Sequence, residues 1–299
     1  MTYTDTESLT KKELIQDRST GLGGTDISCI FNSNPWRSAV DVYQEKVGEA
    51  PVDEKKKGDM LHRLEMGNRL ESTVIDVFES RYKIKVQRDI PVIRHKKYPF
   101  LLAHVDGLID LEDGGKGVFE AKTAGANAIF NKSWGKPSQN ANKEDIPVQY
   151  YYQIQWYMTI TNRDFAYLAV LLGGVDDFRV YRFDRNYDLS VQMRKKARRF
   201  WTENVQKKQA PEPMSQKDSA NLYPRQDVAE YKNCSEKILR LVLKDKSIRQ
   251  QMKTLFTQKD RLDAAITAEI GQLQGLKYED RIIATWKENS AGKRLLKLY

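Results

Sequence analysis

Two carboxylates and a lysine stand close together in the middle of the chain, on either side of a glycine-rich turn. Asp106 belongs to the stretch Ala103-His104-Val105-Asp106-Gly107, and Glu120 and Lys122 belong to Val118-Phe119-Glu120-Ala121-Lys122. Apolar residues alternate with Glu120 and Lys122, so a period of two places both charged side chains on one face of a strand. Two carboxylates beside an ammonium group are costly to hold together unless a divalent cation shares the site. The first hypothesis is therefore a hydrolytic metal site.

The simplest alternative is structural. On an exposed strand, Glu120 and Lys122 would form a surface ion pair worth about 0–1 kcal/mol. Glu71 lies beside the apolar stripe of a predicted helix, where a glutamate is usually a solvated flanking residue. The chemical interpretation requires that Glu71 and Glu120 join Asp106 in one site.

The composition predicts a polar protein that does not enter a membrane. The 299 residues are 40% hydrophobic and 30% charged, with a mean hydropathy of −0.67. The longest apolar run, Phe165 to Leu172, is far shorter than the roughly 20 residues that a membrane-spanning helix needs. The polar start, with Asp5 and Glu7, predicts that there is no signal peptide.

The two cysteines and the charge balance narrow the classes of function. Cys29 and Cys234 cannot form a disulfide framework, a thiolate zinc site or an iron–sulfur cluster, and they suit a cytoplasmic protein. The formal net charge of +9 favours a polyanionic partner if the charge is localised. Five basic residues among the six from Arg194 to Arg199 are the best local candidate for contacts with backbone phosphates, although such a run is often a solvated helix face.

Hydrophobic periodicity predicts the elements that must position these residues. Helices are predicted at Leu9–Ile15, Ile27–Phe31, Ala39–Val47, Met60–Tyr82, Pro147–Ile160 and Leu189–Val205. Strands are predicted at Lys83–Pro91, Phe100–Leu111, Val118–Thr123, Phe165–Leu172 and Phe178–Phe183. The first three strands would form an antiparallel meander packed on the preceding long helix.

A glycine-rich segment, Gly21-Leu22-Gly23-Gly24-Thr25-Asp26, precedes the second predicted helix. Its spacing matches neither the dinucleotide fingerprint nor a Walker P-loop. The structural interpretation is a tight turn with Thr25 or Asp26 as the N-cap. The functional interpretation is a phosphate pocket in which Arg18 supplies the charge and Thr25 a hydroxyl.

The composition changes after residue 210, where we predict a domain boundary. Residues 1–210 would form the main domain, 211–227 a linker and 228–299 a C-terminal extension. In the extension, apolar residues follow a heptad pattern that Lys259 interrupts, which predicts two helices packed as an antiparallel hairpin; docking of this face against the main domain is the alternative. Arg281–Trp286 and Arg294–Tyr299 would form a small β-hairpin.

Five motifs occur in a fixed order along the chain, and together they resemble the YqaJ viral recombinase family. That family belongs with lambda exonuclease in the PD-(D/E)xK nuclease fold. The resemblance covers about residues 12 to 205 and implies an α/β (α+β) fold, with a restriction-endonuclease-like core whose central mixed sheet is flanked by helices. The motifs are Arg18…Gly23-Gly24-Thr25-Asp26, Gly67-Asn68-Arg69-Leu70-Glu71, Val105-Asp106-Gly107, Phe119-Glu120-Ala121-Lys122 and Tyr152-Gln153-Ile154-Gln155.

The resemblance implies a 5′-to-3′ exonuclease that acts on the ends of linear double-stranded DNA. Such an enzyme leaves 3′ single-stranded overhangs for a single-strand annealing protein in phage-type homologous recombination. The cofactor implied is Mg²⁺, with two ions expected and Mn²⁺ able to substitute. The assembly implied is a homo-oligomer, a ring-shaped trimer like that of lambda exonuclease.

The resemblance also assigns roles to the residues that match the motifs. Asp106 and Glu120 match metal ligands, the backbone carbonyl of Ala121 a further ligand, and Glu71 the carboxylate that completes the shell. Lys122 would act on the attacking water, either as a base or as an electrostatic orienter. Two or three carboxylates suffice for Mg²⁺, which keeps several waters, and two ions about 3.5–4 Å apart can activate the water and stabilise the leaving oxygen.

The remaining matches concern the DNA. Gln153 matches a helical glutamine beside the scissile phosphate, and Arg18 and Thr25 match a pocket for the 5′ phosphate of the digested strand. His104 belongs to the same phosphate-binding set but stands where lambda exonuclease has a small hydroxyl residue, and Val105 replaces the proline in the fold's name. Two competing functions stay open: another nuclease of the same fold, of endonuclease or restriction type, and a non-enzymatic DNA-binding recombination scaffold.

Overall fold

The computed structural model describes residues 20–49, 54–125, 133–173, 177–226 and 229–299, with the backbone alone at 54–65 and 68. The chain divides into two compact units, residues 1–226 and 227–299. The helix predicted at Leu9–Ile15 lies outside the described residues. No helix of the described part is long and apolar enough to cross a membrane.

A four-stranded mixed sheet forms the centre of the first unit. Its order is β3 (Gly107–Asp110), β4 (Lys116–Ala124), β5 (Phe165–Leu172) and β6 (Asp177–Asp184). β3 and β4 are antiparallel, β4 and β5 are parallel, and β5 and β6 are antiparallel. The parallel step requires a crossover, which the helix α4 (Val148–Thr161) provides.

Helices cover both faces of this sheet. On one face, α3 (Glu54–Tyr82) places Phe78 against Phe119 of β4, with ring centroids 4.8 Å apart. On the other face, Ile154 and Met158 of α4 are fully buried in a cluster with Val118 of β4. The predicted α/β core with a central mixed sheet flanked by helices is confirmed.

Two predicted strands differ from the structure. Between Lys83 and Pro91 only Gln87 pairs with the sheet, through a single bridge to Leu108, because Lys83 and Asp89 adopt positive φ angles of 59° and 56° that interrupt an extended chain. The predicted strand Phe100–Leu111 is two strands with different partners. β2 (Leu102–Ala103) pairs with β1 (Ile93–Arg94), whereas β3 pairs with β4.

Two short helices precede the sheet, α1 (Gly24–Ile30) and α2 (Ala39–Val47). The N-cap of α1 is Gly23, and not Thr25 or Asp26 as the sequence predicts. Asp26 lies inside the first turn, and its carboxylate accepts the backbone N–H of Gly23 at 3.1 Å. Gly48 ends α2 in the left-handed conformation, with a φ of 78°.

The helix that follows the central sheet is irregular at its end. α5 (Tyr187–Arg199) is capped by Asn186, whose side chain accepts the N–H of Leu189, and the helix continues as a π-helical turn, Phe200–Val205. The predicted linker, 211–227, contains α6 (Gln216–Leu222), which hydrogen-bonds α2 through Asn221.

The second unit consists of one long helix and a small sheet. The predicted helical hairpin is wrong, because α7 (Glu236–Ile270) runs for 35 residues without a glycine or proline that would interrupt it. Three antiparallel strands follow, β7 (Gly275–Tyr278), β8 (Arg281–Glu288) and β9 (Arg294–Leu298), so the predicted β-hairpin exists with one additional strand.

Candidate active site

The strand pair β3–β4 brings the two carboxylates of the central motif together. Asp106 directly precedes β3, and Gly107 pairs with Phe119, so Asp106 lies opposite the Glu120–Ala121 region of β4. Asp106 Oδ2 accepts the backbone N–H of Ala121 at 2.8 Å. Glu120 is 1% exposed, so it is not half of a surface ion pair.

Glu120 is held by donors from a strand and a helix. Gln153 Nε2, on α4, donates to Glu120 Oε1 at 2.7 Å, and Lys122 Nζ donates to the same oxygen. Glu120 Oε2 is buried and has no hydrogen-bond partner within the described residues. A buried carboxylate oxygen without a donor is well suited to a cation, because leaving it unsatisfied is costly.

Lys122 points to the same side of β4 as Glu120, as the period of two predicts. Its ammonium nitrogen lies 5.2 Å from the centroid of the Tyr150 ring on α4, close enough for a cation–π contact. Burial alone would lower the pKa of Lys122, but the charges of Glu120 and Asp106 more than offset this, and the pKa lies above its ordinary value. The protonated form is therefore favoured in this arrangement.

Glu71 joins the group from α3. Burial, reinforced by the negative charge of Asp106, raises the pKa of Glu71 to about 7, and Lys122 acts in the opposite direction. Burial and the charge of Asp106 likewise raise the pKa of Glu120 to about 8, with Glu71 adding to the effect. Three carboxylates therefore repel one another across one site, which is the electrostatic environment that a divalent cation relieves.

The side-chain arrangement bears on how a metal would be held. Among the residues that the structure describes, no three Asp, Glu, His or Cys side chains converge closely enough to form a complete metal-binding group. Mg²⁺ is often bound by only one or two protein carboxylates, together with waters and substrate phosphates. Asp106 and Glu120, with the spare Oε2 oxygen, fit this sparse ligation.

The glycine-rich segment contacts the site through α4, because Gly24 packs against Gln153 and Tyr157 of that helix. A Cβ atom added to Gly24 would lie 2.6 Å from Tyr157 Cε1 and 2.9 Å from Gln153 Cγ, so only glycine allows α1 to approach α4 this closely. Gln153 Nε2 also donates to the Tyr157 hydroxyl at 2.9 Å. Tyr157 and Gly24 thus fix the position of Gln153, and neither role was predicted, because both depend on how α1 packs against α4.

The predicted phosphate-binding residues are only partly covered by the structure. Thr25 is exposed in the first turn of α1, and Arg18 lies outside the described residues. His104 is half-buried between β2 and β3, two residues before Asp106. Backbone hydrogen bonds join the glycine-rich segment to β2 and the residues before it. The N–H of Leu22 donates to the carbonyl of Phe100, and the carbonyl of Leu22 accepts the N–H of Leu102.

A basic surface lies next to the glycine-rich segment. Arg94 ends β1, and the turn after it carries His95, Lys96, Lys97 and Tyr98. A guanidinium nitrogen of Arg94 donates to the hydroxyl of Thr20 at 3.1 Å. From α5, Arg198 donates to the Tyr98 hydroxyl at 3.0 Å.

Arg194 of α5 lies close enough to His95 for its charge, after burial, to lower the pKa of His95. The predicted basic run and this turn therefore form one surface.

The fold and site define an α/β protein with carboxylates and a lysine on adjacent strands, the arrangement expected of a PD-(D/E)xK core. Comparison with known families is more specific. Residues 13–164, just over half of the chain, match the YqaJ-like viral recombinase domain, and the chain belongs to that family. The predicted family is thereby confirmed.

Several known proteins are similar to the chain. The uncharacterized protein YqaJ of Bacillus subtilis (strain 168) is 31% identical over 227 residues, and the match covers 75% of the chain and 66% of that relative. An alkaline exonuclease (LHK-Exo) from Laribacter hongkongensis has a TM-score of 0.49 and 16% identity, over 66% of the chain and 94% of the exonuclease. A phage related exonuclease from Haemophilus somnus 129PT has a TM-score of 0.40 and 13% identity, over 63% and 96% of the two chains.

Proposed function

We propose that the protein is a metal-dependent nuclease that digests linear double-stranded DNA from its ends in the 5′-to-3′ direction. The observation that carries this proposal is the buried group at the β3–β4 pair, in which Gln153 and Lys122 hold one oxygen of Glu120 beside Asp106. Membership of a viral recombinase family supports DNA as the substrate.

The metal in this proposal is Mg²⁺, with Mn²⁺ as a substitute and two ions at full occupancy. Asp106 and Glu120 would hold it, with the backbone carbonyl of Ala121 and the carboxylate of Glu71 as further ligands. When bound, Mg²⁺ makes water a better nucleophile and offsets the charge that develops on the phosphate.

The side chains around Glu120 prepare the site for this chemistry. Gln153 and Lys122 both donate to Oε1, so they orient the carboxylate and leave Oε2 free to bind a cation. Lys122 is the residue that we assign to the attacking water, because it shares the strand face of Glu120. Thr25 and Arg18 are assigned to the 5′ phosphate, with His104 nearby in the chain.

The remaining parts of the proposal concern the product and its partners. Digestion of the 5′ strand leaves a 3′ single-stranded overhang, which is the substrate of a single-strand annealing protein in phage-type recombination. A trimeric ring, as implied by the resemblance to lambda exonuclease, stays a prediction that a mass measurement tests.

The decisive experiment compares linear and closed-circular forms of one plasmid in the presence of Mg²⁺. We expect the linear DNA to become acid-soluble while the circle stays intact. The variant Glu120→Gln keeps the shape of the side chain but removes its charge, and we expect it to lose more than about 100-fold in rate while it still binds duplex DNA. Glu112→Gln, a matched change in the exposed turn between β3 and β4, should digest DNA at the wild-type rate.

Three outcomes would contradict the proposal. Full activity in Glu120→Gln would show that the site around Glu120 does not carry out the hydrolysis. Nicked or linearised circles would identify an endonuclease of the same fold. Metal-dependent binding without any loss of acid-insoluble DNA would identify a non-enzymatic recombination scaffold.

A further inference from the structure

One face of α7 carries large apolar side chains that are exposed to solvent. Ile248, Met252 and Leu255 are 44%, 63% and 62% exposed, and Phe256 and Leu262 are 71% and 64% exposed. Soluble proteins rarely leave a contiguous apolar surface of this kind uncovered. At 1.5 Å per residue the helix is roughly 50 Å long, so the exposed face is much longer than a single contact.

The apolar residues follow the pattern of a coiled coil. From Ile238 to Ile266, positions alternate in steps of three and four, and every position is apolar except Asp245 and Lys259. The positions in order are Ile238, Leu241, Asp245, Ile248, Met252, Leu255, Lys259, Leu262 and Ile266. This mean spacing of 3.5 residues suits packing against another long helix over its whole length.

The charge on α7 differs between its two halves. Residues 236–253 contain six basic and two acidic side chains, a net charge of +4. Residues 254–270 contain two basic and three acidic side chains, a net charge of −1. Two parallel copies would bring the basic halves together, whereas two antiparallel copies place each basic half beside the slightly acidic half.

The two charged members of the pattern agree with the antiparallel arrangement. Asp245 and Lys259 each lie seven residues from Met252, on opposite sides of it. A two-fold axis near Met252 therefore brings Asp245 of one copy close to Lys259 of the other, twice in the pair. Within one helix these side chains already form i,i+4 ion pairs, Arg249 with Asp245 and Lys259 with Asp263.

We propose that α7 pairs with α7 of a second copy of the chain as an antiparallel helical dimer centred near Met252. The pair covers the apolar face of α7 with a helix from another chain, in place of the helical hairpin that the sequence predicts and the chain does not form. This inference is independent of the nuclease activity, because it involves only residues of the second unit.

Light scattering of the full chain tests the proposal over a range of protein concentrations. We expect a mass of about twice 34.7 kDa, or that of two joined trimers where the trimeric ring also forms, and in either case a fall toward half of that mass in Leu255→Asp. The matched control is Gln250→Asp, which adds the same charge on the opposite face of the helix and should leave the dimer intact. Circular dichroism of both variants shows whether α7 is still helical. A wild-type monomer, or a trimer that Leu255→Asp leaves unchanged, would overturn the proposal.

Charge reversal distinguishes the antiparallel pair from other contacts. Asp245→Lys and Lys259→Asp each place like charges side by side in the dimer. We therefore expect each substitution to raise the dissociation constant of the dimer by at least about 10-fold. The double reversal restores opposite charges between the copies and should return the constant to within about threefold of the wild type. The double variant keeps the repulsion within each helix, with Arg249 and Asp263, so a rescue can come only from the contact between copies. A double variant that circular dichroism shows to be helical, and that dimerises no more tightly than the single variants, would rule out the antiparallel contact.

Discussion

Gln153 on α4 and Glu120 on β4 are joined by a 2.7 Å hydrogen bond in which the amide nitrogen donates to the carboxylate. The bond connects the helix that crosses the sheet to the strand that carries the motif. Because Gln153 also donates to Tyr157, its amide is held from two sides. The orientation of Glu120 therefore depends on the packing of α4, and not only on the strand.

The raised pKa values of Glu71 and Glu120 predict that metal-free protein loses stability as the pH rises. Both carboxyls ionise near pH 4.3 in an unfolded chain, but at about 7 and about 8 in the folded chain. Between these values the folded state holds more protons, so the free energy of unfolding falls with increasing pH. Mg²⁺ favours the ionised forms, and we expect millimolar Mg²⁺ to raise the melting temperature more at pH 8 than at pH 5.

Thermal melts of wild type, Glu120→Gln and the exposed control Glu112→Gln check this prediction. Glu120→Gln cannot ionise at this position, so its melting temperature should depend less on pH and on Mg²⁺. Glu112→Gln should follow the wild type. If the melting temperature of Glu120→Gln depended on pH as strongly as that of the wild type, Glu120 would not be the cause of the loss of stability.

The sequence predicted the strand face of Glu120 and Lys122 because their spacing depends only on the two-residue period of a strand. The helix that carries Gln153 is predicted at Pro147–Ile160 and observed at Val148–Thr161, because proline suits the start of a helix. These features depend on local chemistry, and local chemistry can be read without a structure.

The contact of Gly24 with Tyr157 could not be predicted, because it brings together residues from α1 and α4 that are distant in sequence. The error at 83–91 has a related cause. The alternating residues Ile84, Val86 and Ile90 suit a strand, but the left-handed backbone at Asp89 breaks it. In the second unit, the heptad pattern predicted that α7 needs a helical partner, but the pattern does not state which chain supplies it.

Gly24 provides a test of how the glycine-rich segment supports the site. Gly24→Ala places a Cβ within 2.6 Å of Tyr157 and 2.9 Å of Gln153, so we expect a destabilisation of about 1–3 kcal/mol from overpacking. The displaced Gln153 should orient Glu120 less well, and the digestion rate should fall about 10-fold even well below the melting temperature. Urea unfolding and acid-soluble release measure the two effects.

The control is Gly67→Ala, which lies inside α3 and has no atom within 4 Å of the added Cβ. Removing a glycine from a helix interior should stabilise the protein by about 0.5–1 kcal/mol. If Gly24→Ala unfolds at the same urea concentration as the wild type, the close approach of α1 to α4 has no energetic consequence.

The basic surface predicts a salt-dependent contribution to DNA binding. Arg194 and Arg198 lie on the side of α5 that meets the turn after β1, and each is expected to contact one phosphate. Replacing both with glutamine should reduce the slope of log affinity against log salt concentration by about 1.8, since each contact contributes about 0.9. Fluorescence anisotropy with a labelled duplex measures the slope.

A matched pair of substitutions lies in the same run. Arg199 already pairs with Glu203 at 2.7 Å, and Lys195 lies one turn before Arg199 on the same side of the helix, about 100° around the helix axis from Arg194 and Arg198. Lys195→Gln with Arg199→Gln removes the same two charges but should leave most of the slope. If both double variants lost the same amount of slope, the salt dependence of DNA binding would reflect the net charge of the protein and not specific contacts of Arg194 and Arg198.

The 5′-to-3′ direction predicts a preference for phosphorylated 5′ ends. Arg18 and Thr25 are assigned to the 5′ phosphate, so a duplex with 5′ phosphates should be digested faster than the same duplex with 5′ hydroxyls. In Arg18→Ala the preference should fall, because a charged partner of the phosphate is lost while the carboxylates that cut the strand are unchanged. In Thr25→Val the loss should be smaller, since a neutral hydroxyl contributes less than a charge-assisted contact. Initial rates on the two substrates give the ratio of phosphorylated to hydroxyl-ended digestion for each protein. Equal wild-type rates on both substrates would show that no pocket for the 5′ phosphate contributes, although the carboxylate site could still cut the strand.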